Sequence, residues 1–139
     1  MLEEELRGVL SINGEDGYPY GLPLNHYFVK EENRLYFHSG NFGYKIDCLK
    51  KDNKCSYNVI KKSGRNDDGW SLYFKSVIVF GKIHFLEDKK EIERISRELS
   101  HKFTSDEAYI DYEVNKSLDK TAMFYIEIEH ITGKTINER

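Results

Sequence analysis

The order of strand-like and helical segments is the feature that most constrains the fold of this chain. Six strand-like segments are predicted, at residues 7–12, 18–30, 35–38, 53–60, 70–86 and 121–131. Helices are predicted at residues 41–51 and 89–103, and residues 105–119 are expected to form a short helix followed by a loop. Hairpin-type connections outnumber strand–helix–strand units. The pattern therefore predicts a mainly β (α+β) fold, a six-stranded antiparallel barrel with two or three peripheral helices.

Local signals refine this prediction. Two prolines interrupt the second segment, and because proline cannot donate to a ladder, that segment should be an edge strand or carry a bulge. The apolar run at residues 77–80 lacks alternation and should be covered on both faces. The polar run at residues 61–69 predicts a loop, and Asp88 with Glu91 predicts a capping box at the start of the second helix.

Length and charge exclude several classes of protein. With 139 residues, the chain is expected to form one domain over residues 1–139. Its 21 basic and 24 acidic residues are interspersed and give a net charge of −3, which provides no case for binding nucleic acid or an anionic membrane surface. No apolar run approaches the ~20 residues of a membrane span, and the acidic start is unlike a signal peptide, so a cytoplasmic protein is expected. Cys48 and Cys55 form no C-x-x-C pair and are expected to be buried, inert thiols.

The run from residue 34 to residue 51 suggests a binding site. A predicted strand ends at His38 and Ser39, and a predicted helix then begins with Gly43 and Lys45 in its first turn. A lysine at a helix N-terminus is unfavourable by about 0.3–1 kcal/mol, and a glycine costs about 1 kcal/mol relative to alanine. Both are reasonable if a phosphate group docks there. The alternative is a surface helix whose Lys45 points into water.

Five short motifs, in order, cover nearly the whole chain and resemble the FMN-binding split-barrel family. These are proteins related to pyridoxamine 5′-phosphate oxidase, and the nitroimidazole-resistance-like branch is the most similar. The motifs are Gly8-Val9-Leu10-Ser11-Ile12 with the turn Asp16-Gly17-Tyr18-Pro19-Tyr20, Leu22-Pro23-Leu24-Asn25-His26-Tyr27, Leu35-Tyr36-Phe37-His38-Ser39 with Gly43-Tyr44-Lys45, Tyr73-Phe74-Lys75-Ser76-Val77 up to Gly81-Lys82, and the helix after Asp88.

The resemblance implies a homodimer of six-stranded split barrels with Greek-key topology and FMN in a cleft between the subunits. It implies that Lys45 and Ser76 contact the FMN phosphate, helped by His38 and Ser39, with Gly43 in the same motif. It also implies that Pro23, Leu24, Asn25 and His26 lie along the isoalloxazine edge, where main-chain groups bond the polar atoms of the ring.

Each of these residues also has a structural interpretation. Ser76 could be satisfied by main chain, and Asn25 could be a polar residue beside a turn. His38 could be a metal ligand or a core histidine, although no carboxylate or second histidine is spaced to complete a metal site with it. His26 could contact a substrate or transfer a proton, or it could lie on the barrel surface.

Two aromatic residues near the fourth motif have similar alternatives. Trp70 and Tyr73 could stack on flavin or cover a dimer interface, and core packing is the default expectation for both.

The leading hypothesis is an FMN-dependent oxidoreductase acting on a small molecule, such as a nitroaromatic compound. A reduced nicotinamide cofactor is a candidate electron donor, and a partner protein is a further candidate substrate. The C-terminal run from Ile131 to Arg139 lacks the arginine- and histidine-containing substrate signature of true pyridoxamine phosphate oxidases, which disfavours oxidation of a vitamin B6 phosphate. No triad or carboxylate dyad is apparent, so catalytic residues are not assigned, and no metal is expected.

Three alternatives stay open. The chain could be a non-catalytic flavin- or haem-binding module with His26 or His38 as an axial ligand. It could use a deazaflavin in place of FMN, since the phosphate argument for Lys45 applies to either. It could also have lost its ligand altogether.

Overall fold

Seven antiparallel strands form one continuous sheet in the computed structural model, which describes residues 1–138 apart from the side chain of Lys62. The strands are β1 Arg7–Asn13, β2 Pro19–Asn25, β3 Tyr27–Val29, β4 Arg34–Gly40, β5 Lys54–Arg65, β6 Leu72–Phe85 and β7 Thr121–Asn137. Their order across the sheet is β2-β1-β5-β6-β7-β4-β3. The prediction of a mainly β, antiparallel barrel is therefore confirmed.

The sheet is curled because its two edge strands are consecutive in the chain. β2 pairs with β1 and β3 pairs with β4, and only His26 lies between β2 and β3. The predicted count of six strands is wrong for this reason, since the segment at residues 18–30 changes neighbours at His26 and divides into two strands. The prediction that this segment forms an edge is confirmed.

Three α-helices are present among the described residues: α1 Tyr44–Lys51, α2 Lys89–Ser100 and α3 Glu107–Ser117. The carboxylate of Asp88 accepts from the N–H of Lys90 at the start of α2. The structure shows no return bond from Glu91, so the described contacts do not form the predicted capping box. The segment at residues 105–119, expected to form a short helix and a loop, contains α3, a helix of three turns, which Asp106 caps by accepting from the N–H of Tyr109.

The main core fills the inside of the curled sheet. Leu10, Phe37, Tyr57, Val79 and Phe124 are fully buried there. Cys48 and Leu49 of α1 join this core and close one end of the barrel. A smaller cluster of Tyr36, Ile95 and Met123 packs α2 against the outer side of β4 and β7.

Two further strand predictions are wrong. β5 continues through Arg65, so residues 61–65 are strand and not loop, because they pair with β6. The run at residues 77–80 is not covered on both faces, since Phe80 is 42% exposed and only Val79 is fully buried. β7 is also longer than predicted and ends at Asn137.

The described residues contain no helix with the length and apolar composition needed to cross a membrane. Both cysteines are free thiols; Cys48 is buried and Cys55 is half-buried, which raises the pKa of Cys55 to about 12.

Candidate functional site

One side of the curled sheet is left uncovered, and we call it the open face. Leu10, Tyr57 and Val79 point into the core, so the residues that alternate with them on β1, β5 and β6 point outward. The registers align these residues in rows across the strands, consisting of Pro23, Val9, Asn58, Ile78 and Thr132 in one row and Ile60, Ser76 and Lys134 in the next. Val9 is 44% exposed and Ile60 is 58% exposed, so this face presents accessible apolar side chains beside polar ones.

The first turn of α1 is also open to solvent. Gly43 precedes it with φ of 113°, in the left-handed region that favours glycine, and a Cβ built there would meet nothing within 4 Å. No side chain among residues 1–138 caps this helix, and the N–H groups of Tyr44 and Lys45 have no acceptor in that part of the chain. The half-buried Lys45 adds an ammonium group. Together these groups are the donors that anion-binding sites at helix N-termini use.

Tyr44 fixes this helix tip against the turn between β1 and β2. Its hydroxyl accepts from the N–H of Glu15 at 3.0 Å, and its ring packs edge-on against Tyr20 with centroids 5.1 Å apart. Sequence analysis placed Tyr44 in a motif but gave it no role, because its partners lie more than twenty residues earlier in the chain. The tip of α1 is therefore held in place while its N–H groups stay accessible.

Ser39 and His38 lie on opposite faces of β4, because adjacent strand residues alternate. Ser39 lies on the same face as the core residue Phe37, and its hydroxyl donates to the carbonyl of Gly40. His38 lies opposite Met123, on the face that α2 covers, beside a cavity of about 160 Å³ that Glu113 also lines. The prediction that both side chains assist one phosphate is not supported by this arrangement.

The side chain of His26 is fully buried within the chain, so it does not lie on the barrel surface. Its Nε2 lies 2.8 Å from the carbonyl oxygen of Leu2, and its Nδ1 lies 2.9 Å from the hydroxyl of Tyr57. A carbonyl can only accept, so Nε2 carries the proton. Burial lowers the pKa of His26 from 6.5 to about 4, so the ring is neutral at pH 7.

The other predicted residues of β2 divide between its two faces. Pro23 belongs to the open face, where it is paired with Val9, and Asn25 accepts from Nε of Arg7 at 2.7 Å. Leu24 points inward, and its carbonyl oxygen lies 2.7 Å from the hydroxyl of Tyr57, whose single proton can be donated either to this carbonyl or to Nδ1 of His26. β2 pairs only with β1, so its other edge can offer main-chain groups to a ligand.

Ser76 lies on the open face, between Ile60 and Lys134. Tyr20 of β2 contacts the tip of α1, and the strand pairing puts it in one row with Gly81 of β6. Ser76 lies five residues along β6 from Gly81, and β6 is three strands across the sheet from β2. At about 3.3 Å per residue and 4.8 Å per strand, Ser76 lies roughly 20 Å from the region that holds the tip of α1. Within one chain, the structure therefore does not bring Ser76 and Lys45 to one phosphate.

The two aromatic residues of the β5–β6 hairpin differ in environment. Trp70 is 86% exposed at the turn, so the default expectation of core packing is wrong for it. Tyr73 is half-buried against Gly64. Among the described residues, no group of three or more His, Cys, Asp or Glu side chains is placed to hold a metal ion.

Solved structures with the same fold include several flavin-related proteins. A candidate 5-nitroimidazole antibiotic resistance protein from Bacteroides thetaiotaomicron matches with a TM-score of 0.81 and 21% identity, over 98% of this chain and 80% of that one. The FAD and haem binding protein from Mycobacterium smegmatis matches with a TM-score of 0.77 and 17% identity, over 99% and 68% of the chains. An FAD-binding protein from Mesorhizobium loti matches with a TM-score of 0.64 and 22% identity, over 97% and 89%. These similarities show the fold.

No functionally curated protein matches the chain. A sequence profile described as pyridoxamine 5′-phosphate oxidase matches residues 1–135, which is nearly the whole chain. The chain therefore belongs to the pyridoxamine 5′-phosphate oxidase family.

Proposed function

We propose that this protein is a homodimeric flavoprotein that binds FMN and uses it to reduce a small molecule. The observation that carries the proposal is the uncapped first turn of α1, with Lys45 in it, in a chain of this family. The open face supplies the second part of the site.

The donor set at the tip of α1 fits a phosphate dianion. Lys45 provides a cation, and the N–H groups of Tyr44 and Lys45 provide donors that no described residue uses. The absence of a side chain at Gly43 leaves room for phosphate oxygens to approach. The hydroxyl of Ser39 now donates to a carbonyl and would have to turn to join the site.

A site formed between two copies of the chain would explain how Lys45 and Ser76 could both contact one flavin although they are far apart in one copy. A flavin held between subunits could contact the α1 tip of one copy and the open face of the other, although roughly 20 Å separates these groups in one copy. The exposed Val9, Ile60 and Phe80 favour such pairing, because an apolar face of this kind marks an interaction surface.

In such a site, FMN supplies the redox chemistry at its ring, and the protein binds, orients and shields it. The main-chain groups on the free edge of β2 would bond the polar rim of the ring, and the apolar side chains of the open face would exclude water from it. Binding, orienting and shielding a flavin requires no acid–base pair of side chains, and none was assigned among the site residues described above. A nitroaromatic substrate is proposed on the strength of the nitroimidazole resistance candidate among the structural neighbours. A reduced nicotinamide cofactor is proposed as the electron donor, because the flavin must be reduced again after each turnover.

A second candidate is a flavin- or haem-binding module without turnover, which the FAD and haem binding neighbour from Mycobacterium smegmatis favours. Against a haem ligand at His26, both of its ring nitrogens are engaged in the buried network. An absorption spectrum separates the candidates, since flavin bands favour the first and a Soret band the second.

The test is to purify the chain without added cofactor, release any bound small molecule and identify it by mass spectrometry. We expect FMN, at close to one per chain. Lys45→Ala should lose most of the flavin, because the phosphate loses its charged partner. Lys50→Ala is the control, since it removes an exposed lysine from the last turn of the same helix. FAD or haem in place of FMN, or equal retention by both variants, would overturn the assignment.

A further inference from the structure

A second cavity lies at the end of the barrel farthest from α1, and we call it the hairpin cavity. It has a volume of about 640 Å³ and lies between the β5–β6 hairpin, the end of β7 and the N-terminal residues. This is within the size range of small-molecule pockets. Lys61, Lys75 and Thr135 share one row across the inward-facing side of the sheet, whereas Ser76 points to the open face. The hairpin cavity is therefore separate from the residues assigned to FMN.

The hairpin cavity has a positive charge that no carboxylate of residues 1–138 neutralises. Lys61 and Lys75 are directly opposite each other on β5 and β6, and like charges in such cross-strand positions repel. Glu4 forms an ion pair with Lys61. Within residues 1–138 no carboxylate is paired with the exposed Lys75. An anion bound beside Lys75 would remove the remaining repulsion.

A flat aromatic wall lies next to this charge. Gly64 is opposite Tyr73, just after a bulge in β5, and a Cβ at Gly64 would lie 2.8 Å from the hydroxyl oxygen of Tyr73. The glycine thus allows the tyrosine ring to lie across the strand, where it faces the cavity. A planar ligand could stack against such a ring.

Further donors line the same space. Asn66 donates from Nδ2 to Oδ1 of Asn137 at 3.0 Å, which leaves the amide nitrogen of Asn137 as a donor. The hydroxyl of Thr135 lines the cavity beside Lys75. A carboxylate can accept from several such groups at once, and a bond to the ammonium would be charge-assisted.

We propose that the hairpin cavity binds a small aromatic carboxylate. Its carboxylate would accept from Lys75, Thr135 and Asn137, and its ring would pack against Tyr73. The occupant is a monoanion, because Lys75 is the one uncompensated lysine among the described lining residues and Glu4 repels additional negative charge. This site does not depend on flavin, which would lie on the other face of the sheet.

The proposal is tested by titrating the purified full-length protein, with whatever cofactor it carries, using benzoate, benzamide and inorganic phosphate. Chemical shifts of the backbone amides report where each probe binds. We expect benzoate to shift the amides of Tyr73, Lys75 and Thr135, and to bind at least tenfold more tightly than benzamide or phosphate. Lys75→Gln should weaken benzoate binding about five- to tenfold, since it removes a charge-assisted hydrogen bond.

Lys54→Gln is the matched control, because it removes an exposed lysine from the opposite end of β5. Gly64→Ala should also weaken binding, through displacement of the Tyr73 ring. Equal binding of benzamide, equal loss in both lysine variants, shifts confined to the open face, or no binding because a second copy fills the cavity would each overturn the proposal.

Discussion

At the scale of the single residue, the buried imidazole of His26 joins the N-terminal segment to the barrel. Its Nε2 donates to Leu2, whose side chain packs in the main core. Lys102 reinforces this junction from α2's end, since its ammonium donates to the carbonyls of Glu5 at 3.0 Å and His26 at 2.7 Å. The segment before β1 is thus held by buried hydrogen bonds as well as by apolar contact.

This burial makes stability depend on pH. The pKa of His26 falls from 6.5 to about 4 on folding because the ring loses water, so between these values the unfolded chain binds the proton more readily. Its contribution is fully present above pH 6.5 and is lost as the pH falls toward 4. Over that window we expect the free energy of unfolding to decrease by up to about 3 kcal/mol from this residue, measured by urea denaturation.

Comparison of two variants isolates the effect, because carboxylates also titrate in acid. His26→Gln should be less stable at pH 7 and should lose much less stability between pH 7 and pH 4. His101→Gln, which removes an exposed histidine paired with Glu107, should retain the full dependence. A pH profile of His26→Gln parallel to that of the unmodified protein would contradict the prediction.

The burial of His26 could not be predicted from its neighbours in sequence. Its partners Leu2 and Tyr57 lie 24 and 31 residues away, and nothing local distinguishes an enclosed histidine from an exposed one. By contrast, the position of Lys45 in the first turn of a helix followed from residues next to it. Sequence analysis was therefore more successful at a site built from one continuous segment than at contacts assembled by the fold.

At the scale of the element, strands and helices were predicted correctly where a local sequence pattern defines them. Their limits were predicted wrongly where pairing with a distant strand defines them. The predicted helix at residues 41–51 begins at Tyr44, because Gly43 takes a positive φ and delays it. β5 extends through polar residues up to Arg65, which only pairing with β6 explains. The apolar run at residues 77–80 does not alternate with polar residues, so its sequence could not show which of its two faces is exposed to solvent.

The bulge between β6 and β7 supplies a prediction at this scale. The register shifts between Phe80 and Gly81, and a Cβ at Gly81 would lie 2.1 Å from the carbonyl oxygen of Glu127. Gly81→Ala must therefore push the two strands apart, and we expect it to cost about 2–3 kcal/mol of unfolding free energy. Chemical denaturation measures the change.

Gly40→Ala provides the matched comparison. A Cβ at Gly40 meets nothing within 4 Å, and its backbone is not in the left-handed region, so the variant should differ from the unmodified protein by less than about 0.5 kcal/mol. Equal stability of the two glycine variants would show that the strands yield at the bulge.

At the scale of the whole molecule, one chain leaves the open face without a covering layer. The exposed Val9, Ile60 and Phe80 lie on the central strands of the sheet, not on its loops. A mainly antiparallel sheet can have one solvated side, but that side usually carries polar residues. This is the physical basis for expecting two copies to associate here.

Ile60→Glu tests that expectation. The substitution places a charge among the apolar residues of the face, and we expect a dimer of the unmodified protein to become a monomer and to lose its flavin. Sedimentation equilibrium and the flavin absorbance measure the two effects. Tyr109→Glu, at a 55% exposed position on α3, should change neither. A dimer that persists in Ile60→Glu would place the subunit contact elsewhere.

The connection between β2 and β3 has a consequence for how this protein aggregates. Both outermost strands of the sheet meet at His26, so loosening of that residue would detach β2 from β1 and β3 from β4 and expose two new strand edges at once. Unpaired edges template the addition of strands from other chains. Mild acid should accordingly promote aggregation through intermolecular β pairing before the helices melt, and the first peptide groups to exchange with solvent should flank that single residue.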